Sequence, residues 1–197
     1  MYETRTMINT QNKIIIITAP SGAGKSTITH YLINKYPALS FSISAATRNP
    51  RGSEKDGVDY YFLSEETFKQ KINEDAFLEW EMVYEGKYYG TLKSELDRIW
   101  AAGKVPMLDI DVKGAIHVQQ QFGDNCLSLF IEPPSVEELK KRLESRGTET
   151  PESLATRINK ASYEISFNHR FTKSIVNDDL SKACAETEKV IKDFLGW

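Results

Sequence analysis

The pattern opens with an unbroken apolar run, Ile14 to Ile17, set between Lys13 and Thr18. Such a run, bounded by a turn signal, predicts a strand covered on both faces, as in the middle of a parallel sheet. Four more runs predict strands at Leu39–Ala45, Val105–Ile110, Leu127–Glu132 and Ser174–Val176. Between them lie helical patterns, predicting helices at Ser26–Tyr36, Leu92–Ala102, Gly114–Gln121, Val136–Ser145, Pro151–Asn168 and Lys182–Leu195. Ser135 and Glu138 form the S-x-x-E signature of a capped helix start. Strands alternating with helices predict an α/β fold, a parallel core sheet flanked by helices.

Residues 47 to 91 break this rhythm. They carry Arg48, Arg51, Tyr60, Tyr61, Phe62, Glu79, Trp80, Tyr84, Tyr88 and Tyr89, with one short helix near Ser64–Asn73. That composition predicts a small β-rich lobe inserted in the α/β core. A second interruption runs from Arg146 to Pro151, punctuated by Gly147 and Pro151 between two helical stretches.

The turn after the first strand reads Ala19-Pro-Ser-Gly-Ala-Gly-Lys-Ser26. Strand, Gly-rich turn, then helix is the context of a nucleotide-phosphate loop. Gly22 and Gly24 let backbone N–H groups turn inward around a phosphate, and the positive end of the helix adds to the attraction. Lys25 can then reach the β/γ-phosphates, and the Ser26 hydroxyl can ligate Mg²⁺. The pattern G-x-x-x-x-G-K-[ST] has Gly in its first place, where this chain has Ala19. A positive φ there would cost Ala about 1 kcal/mol, whereas a negative φ tolerates the methyl group.

Bulk properties narrow the class. A length of 197 residues suits one domain carrying an insertion, or two small lobes. A net charge of −3 gives no broad basic surface, so no nucleic-acid partner is expected. No apolar stretch approaches the roughly 18 residues of a membrane span. Cys126 and Cys184 lie far apart, without metal-ligand spacing, and suit small core positions in a reducing cytoplasm. Residues 1–12 are polar, lack a secretory apolar segment and read as a disordered extension, native or vector-derived, with Met7 an alternative start.

Candidate chemistry clusters in four places. Val105-Pro-Met-Leu-Asp-Ile-Asp111 puts Asp109 and Asp111 at the carboxyl end of a core strand, where open α/β sheets bind ligands. Either acid can hold Mg²⁺ through water, and Asp111 can equally cap the next helix. Arg48 and Arg51, three apart around a proline, can clamp one phosphate, with Tyr60 and Tyr89 adding hydroxyls. The tyrosines suit a lobe core equally well. Glu79, in an otherwise apolar segment, can accept two N–H bonds and so select guanine over adenine, or be an ordinary surface glutamate. Arg142 and Arg146 share one helix face, and Arg157 follows the Gly147–Pro151 break. Three cations around a hinge suit a closing lid, while Arg142 pairing with Glu138 is the plainer alternative. His30, His117 and His169 are isolated and suggest no metal or base.

Taken together the chain resembles the guanylate kinase family. The matching segments are Ala-Pro-Ser-Gly-Ala-Gly-Lys-Ser (19–26), Phe-Ser-Ile-Ser-Ala-Ala-Thr-Arg-Asn-Pro-Arg (41–51), Gly-Val-Asp-Tyr-Tyr-Phe (57–62), Phe-Leu-Glu-Trp (77–80), Tyr-Tyr-Gly-Thr (88–91), Leu-Asp-Ile-Asp (108–111), Phe-Ile-Glu-Pro-Pro-Ser (130–135), Arg-Leu-Glu-Ser-Arg-Gly (142–147) and Ile-Val-Asn-Asp-Asp (175–179). They occur in the family's order from Lys13 to the C-terminus.

The resemblance implies the P-loop nucleoside monophosphate kinase fold: a core (13–46, 92–145 and 158–197), a GMP-binding lobe (47–91) and a lid (146–157). It implies transfer of the ATP γ-phosphoryl group to GMP, and to dGMP, with Mg²⁺. On that reading Ala19, Pro20, Ser21, Gly22, Ala23, Gly24, Lys25, Ser26, Thr27 and Asn177 hold ATP. Arg48, Arg51, Tyr60 and Tyr89 hold the GMP phosphate, Ser44 and Glu79 read guanine, and Glu54 and Thr91 also belong to the GMP site. Asp109 and Asp111 serve GMP or Mg²⁺-bound water, together with Ser26 on the metal. Lys25, Arg142, Arg146 and Arg157 carry the transferring charge. A cytoplasmic monomer or homodimer is implied. Ala19, Thr91 in place of a usual serine, and a Val83–Lys87 loop about one residue longer than usual are departures. A phosphopeptide-binding scaffold module and a sugar-bisphosphate kinase of similar build are the alternatives.

Overall fold

The computed structural model describes residues 12–145 and 150–197. The expected N-terminal extension, apart from Asn12, and Arg146 lie outside the described residues. In chain order the elements are β1 (Ile14–Thr18), α1 (Lys25–Lys35), β2 (Leu39–Phe41), β3 (Ala45–Ala46), β4 (Tyr61–Phe62), α2 (Glu65–Asn73), β5 (Phe77–Tyr84), β6 (Lys87–Leu92), α3 (Lys93–Ala101), β7 (Val105–Leu108), α4 (Val112–Phe122), β8 (Cys126–Glu132), α5 (Val136–Glu144), α6 (Pro151–Ile165), β9 (Lys173–Val176) and α7 (Leu180–Leu195).

Five strands form an all-parallel sheet in the order β2-β7-β1-β8-β9. The β1 run lies at its centre because both of its faces are apolar. Ile15 and Ile17 pack with Ile28 and Leu32 of α1 and Ile191 and Leu195 of α7. Ile14 and Ile16 point the other way, onto Leu96 of α3 and Ala115 and Val118 of α4. Each buried isoleucine contributes roughly 1.5–3 kcal/mol, which fixes the strand from which the phosphate loop emerges. Cys126 and Cys184 are both buried and unbridged.

The expected strand Leu39–Ala45 is two strands in two sheets. The Ser42 N–H still donates to the Met107 carbonyl at 2.9 Å. The next N–H, on Ile43, instead donates to Glu95 Oε1 at 3.0 Å. A side-chain acceptor thus replaces the strand partner, and the chain crosses into a second sheet, β4-β3-β6-β5. Phe68 of α2 and Phe77 of β5 stack at 4.2 Å in its small core.

The extra residue expected in the Val83–Lys87 loop is absorbed by the hairpin. Its turn is Glu85-Gly86, Gly86 has φ 68°, and the β5–β6 register shifts between Met82 and Tyr84. Ser135 caps α5 by accepting from the Glu138 N–H at 3.1 Å. A reciprocal capping box forms one helix later, between Thr150 and Ser153.

Candidate active site

Thr18, the last residue of β1, donates through Oγ1 to the Ile110 carbonyl at 3.0 Å. This bond sets the loops leaving β1 and β7 side by side at the carboxyl ends of the sheet. The β1 loop turns at Gly22 (φ 96°) and Gly24 (φ 97°). A Cβ on Gly22 would meet Leu139 and Leu143 of α5 at 3.0 Å. Among the described residues only Asn12 and Asp75 are non-glycines with positive φ. Ala19 is therefore free of left-handed strain, and its methyl group is tolerated.

Lys25 opens α1, and its ammonium pairs with Asp109. Burial pulls the Lys25 pKa down to about 8, while the Glu164 carboxylate pushes it up. The ion pair with Asp109 likewise favours the charged form. Asp111 caps α4 by accepting from the Gly114 N–H at 2.8 Å, and it also lines the cleft. Its capping and cleft positions are compatible.

The two sheets face each other across one cleft of about 790 Å³. The phosphate loop, with Lys25, Ser26 and Thr27, forms one wall with Asp109 and Asp111. Ser44, Tyr60, Glu79 and Tyr89 come from the second sheet and its connections, and Arg157 from α6. Arg157 Nη1 donates to Ser21 Oγ at 2.6 Å, bringing α6 onto the phosphate loop.

Glu79 accepts from the Thr91 hydroxyl at 2.7 Å. Burial pushes its pKa up to about 7; the Thr91 bond opposes this and the Asp111 charge adds to it. Arg48 lies behind Tyr60, its guanidinium 4.6 Å from that ring. It grips Glu54 with two bonds, 2.5 and 2.8 Å long. Glu54 also accepts from the Arg51 N–H at 2.8 Å, and these bonds pull its pKa down to about 2. Arg48 Nε is buried without a hydrogen-bond partner. Arg51 itself is exposed.

Arg142 and Asn177 sit behind the phosphate loop. Arg142 Nη2 donates to the Asn177 carbonyl at 3.1 Å, and its Nε lies 3.6 Å from Glu138. The Asn177 amide is buried and donates to the Ala23 carbonyl at 2.7 Å.

Three charged cleft residues were not singled out from sequence. Glu81 lies two along β5 from Glu79 and so shares its face. A hydrogen bond to Asp111, together with burial, pushes Glu81 up to about 7. Lys160 and Glu164 follow Arg157 at helical spacing on α6. Burial is the main cause of the raised Glu164 pKa. Strand and helix periodicity applied outward from Glu79 and Arg157 would have found all three.

The chain is similar to known proteins over nearly its whole length. The family model described as guanylate kinase matches residues 11–194. A guanylate kinase of Bacteroides fragilis is 52% identical over 184 residues, covering 93% of this chain and 90% of that protein. A guanylate kinase of Porphyromonas gingivalis is 47% identical over 184 residues, covering 93% of this chain and 98% of the relative. The crystal structure of guanylate kinase from Anaplasma phagocytophilum superposes with a TM-score of 0.75 at 27% identity, covering 95% of this chain and 88% of that one. By its sequence over nearly its whole length, and by its fold, the chain belongs to the guanylate kinase family.

Proposed function

We propose that this chain transfers the γ-phosphoryl group of ATP to GMP, giving ADP and GDP, with Mg²⁺, and accepts dGMP as well. The observation that carries the residue assignment is that one cleft has a phosphate loop on one wall and Glu79, Ser44, Tyr60 and Tyr89 on the other. Two nucleotides bound to those walls would bring their phosphates together at Lys25 and Arg157.

The acceptor phosphate needs no general base, since a phosphate monoester is largely ionised near neutral pH, with a second pKa of about 6. The protein's work is alignment and charge neutralisation. Backbone N–H groups of residues 19–27 and the start of α1 hold the ATP phosphates. Lys25, Arg142, Arg146 and Arg157 neutralise the charge that moves between the nucleotides. Arg48, Arg51, Tyr60 and Tyr89 hold the GMP phosphate, with Glu54 gripping the Arg48 guanidinium and the Arg51 backbone N–H in the free protein. Glu79, steadied by Thr91, reads the guanine edge together with Ser44. Asn177 serves the ATP side through its hold on the phosphate loop.

Ser26, and Asp109 and Asp111 through water, suit Mg²⁺. Among the described residues no group of three His, Cys, Asp or Glu side chains is placed to hold a metal. One hydroxyl and two water-bridged carboxylates fit an ion that arrives on ATP phosphate oxygens. The chemistry it supplies there is neutralisation of the β- and γ-phosphate charge.

The domain limits follow the same reading: core at 13–46, 92–145 and 158–197, GMP lobe at 47–91 and lid at 146–157. Among the described residues no helix is long and apolar enough to cross a membrane. We place the enzyme in the cytoplasm with its substrates, as a monomer or homodimer. A coupled assay with ATP and GMP, dGMP, AMP or a sugar bisphosphate tests the function. Turnover confined to GMP and dGMP is expected. No turnover with GMP would overturn the reading and favour a binding module.

A further inference from the structure

Gly114 stands in the first turn of α4, Val112–Phe122. Glycine in a helix costs roughly 0.5–1 kcal/mol against alanine, so its presence there asks for a reason. The backbone does not supply one, because Gly114 is absent from the positive-φ glycines. Space does. A β-carbon at position 114 would stand 2.8 Å from Glu79 Oε2 and 3.2 Å from Asp111 Oδ1.

These neighbours can yield to different extents. Asp111 Oδ1 is tied to the helix by the bond from the Gly114 N–H. Glu79 Oε2 is the far end of a longer side chain, whose other oxygen accepts from Thr91. An added methyl group would therefore move the Glu79 carboxylate before it moved the helix.

We propose that Gly114 is a specificity-positioning residue: its missing side chain leaves the space in which the Glu79 carboxylate is held to read guanine. This rests on the assignment of Glu79 to guanine made above. Two N–H bonds from one base edge require the carboxylate in one place and one orientation. A displacement near 1 Å is enough to lose much of that recognition.

The test is Gly114→Ala, with Glu79→Ala and the double variant measured beside it. Gly114→Ala should raise KM for GMP about tenfold or more, leave KM for ATP within about twofold, and leave Tm unchanged or slightly higher. Added to Glu79→Ala, it should change GMP use no further, since the group it displaces is gone. An unaltered KM for GMP overturns the proposal. So does a joint loss of GMP and ATP affinity with a lowered Tm, which marks a structural role, and so does full additivity in the double variant. If Glu79→Ala itself leaves KM for GMP unchanged, the guanine assignment fails and this proposal falls with it. If Glu79→Ala weakens GMP use and Gly114→Ala does not, only the role of Gly114 fails.

Discussion

The Asn177 side chain donates to the Ala23 carbonyl at 2.7 Å, fastening the segment after β9 to the phosphate loop. Arg142 of α5 donates in turn to the Asn177 carbonyl. Gly24 makes the approach possible, since a Cβ there would overlap the Asn177 amide. One buried asparagine thus joins three segments around the loop.

Asn177→Ala should therefore loosen the loop. It leaves a buried carbonyl without its partner, a loss of about 1–3 kcal/mol. For a chain of this size that corresponds to a Tm lower by roughly 2–4 °C per kcal/mol. Calorimetry should show the shift, and KM for ATP should rise more than KM for GMP. An unchanged Tm would show that the bond does not brace the loop.

Glu79→Gln should trade function against stability. The folded pKa of Glu79 is raised to about 7 from an ordinary value of 4.5. Between those values the folded chain keeps a proton that the unfolded chain has lost. Stability from this group is thus highest at low pH, declines as pH rises through that window, and carries the full penalty above about pH 7. Glutamine cannot ionise and still offers an acceptor to Thr91. The variant should gain about 1–3 kcal/mol over the parent at pH 8 and little at pH 4, read by denaturant titration. Its KM for GMP should rise at the same time, because the new amide meets guanine N–H groups as a second donor. Equal stability of the two proteins at pH 8 would show that the carboxylate carries no burial penalty.

Much of the fold was legible because β1 is apolar on both faces and because α4 and α7 bury residues at regular helical spacing, Val112, Ala115 and Val118 in one and Ala183, Thr187, Ile191 and Leu195 in the other. The phosphate loop was legible because its chemistry is local: glycines, lysine and serine in one run. The break at Ser42 was not legible, since the acceptor that ends the strand is Glu95, distant in sequence. The same holds for Asn177, whose hold on Ala23 spans 154 positions. Glu81, Lys160 and Glu164 carry no motif of their own; only their spacing from Glu79 and Arg157 places them on the faces that line the cleft.

Arg48→Lys should weaken GMP use despite keeping the charge. Arg48 makes a two-bond fork to Glu54 and lies against the Tyr60 ring. An ammonium supplies neither the fork nor the flat face. KM for GMP should rise about tenfold, with KM for ATP little changed. Steady-state kinetics with each substrate varied in turn checks this; equal affinity for GMP would show that charge alone suffices.

Lys25→Met should separate folding from chemistry. The Lys25 stem is part-buried at the start of α1, and methionine keeps most of that length while removing the charge. The helix is held by Ile28 and Leu32 beneath the sheet, which the substitution does not touch. The circular-dichroism spectrum and cooperative melting should therefore survive. ATP should still bind, because the loop N–H groups and the helix start remain to hold its phosphates. What is lost is the cation that meets charge as it develops on the transferring group, a loss on the order of 10³-fold in kcat. The fall should lie in kcat far more than in KM, the signature of an interaction made in the transition state. A folded variant with near-normal kcat would remove Lys25 from the mechanism and leave the charge to Arg157, which is bonded to Ser21 of the phosphate loop.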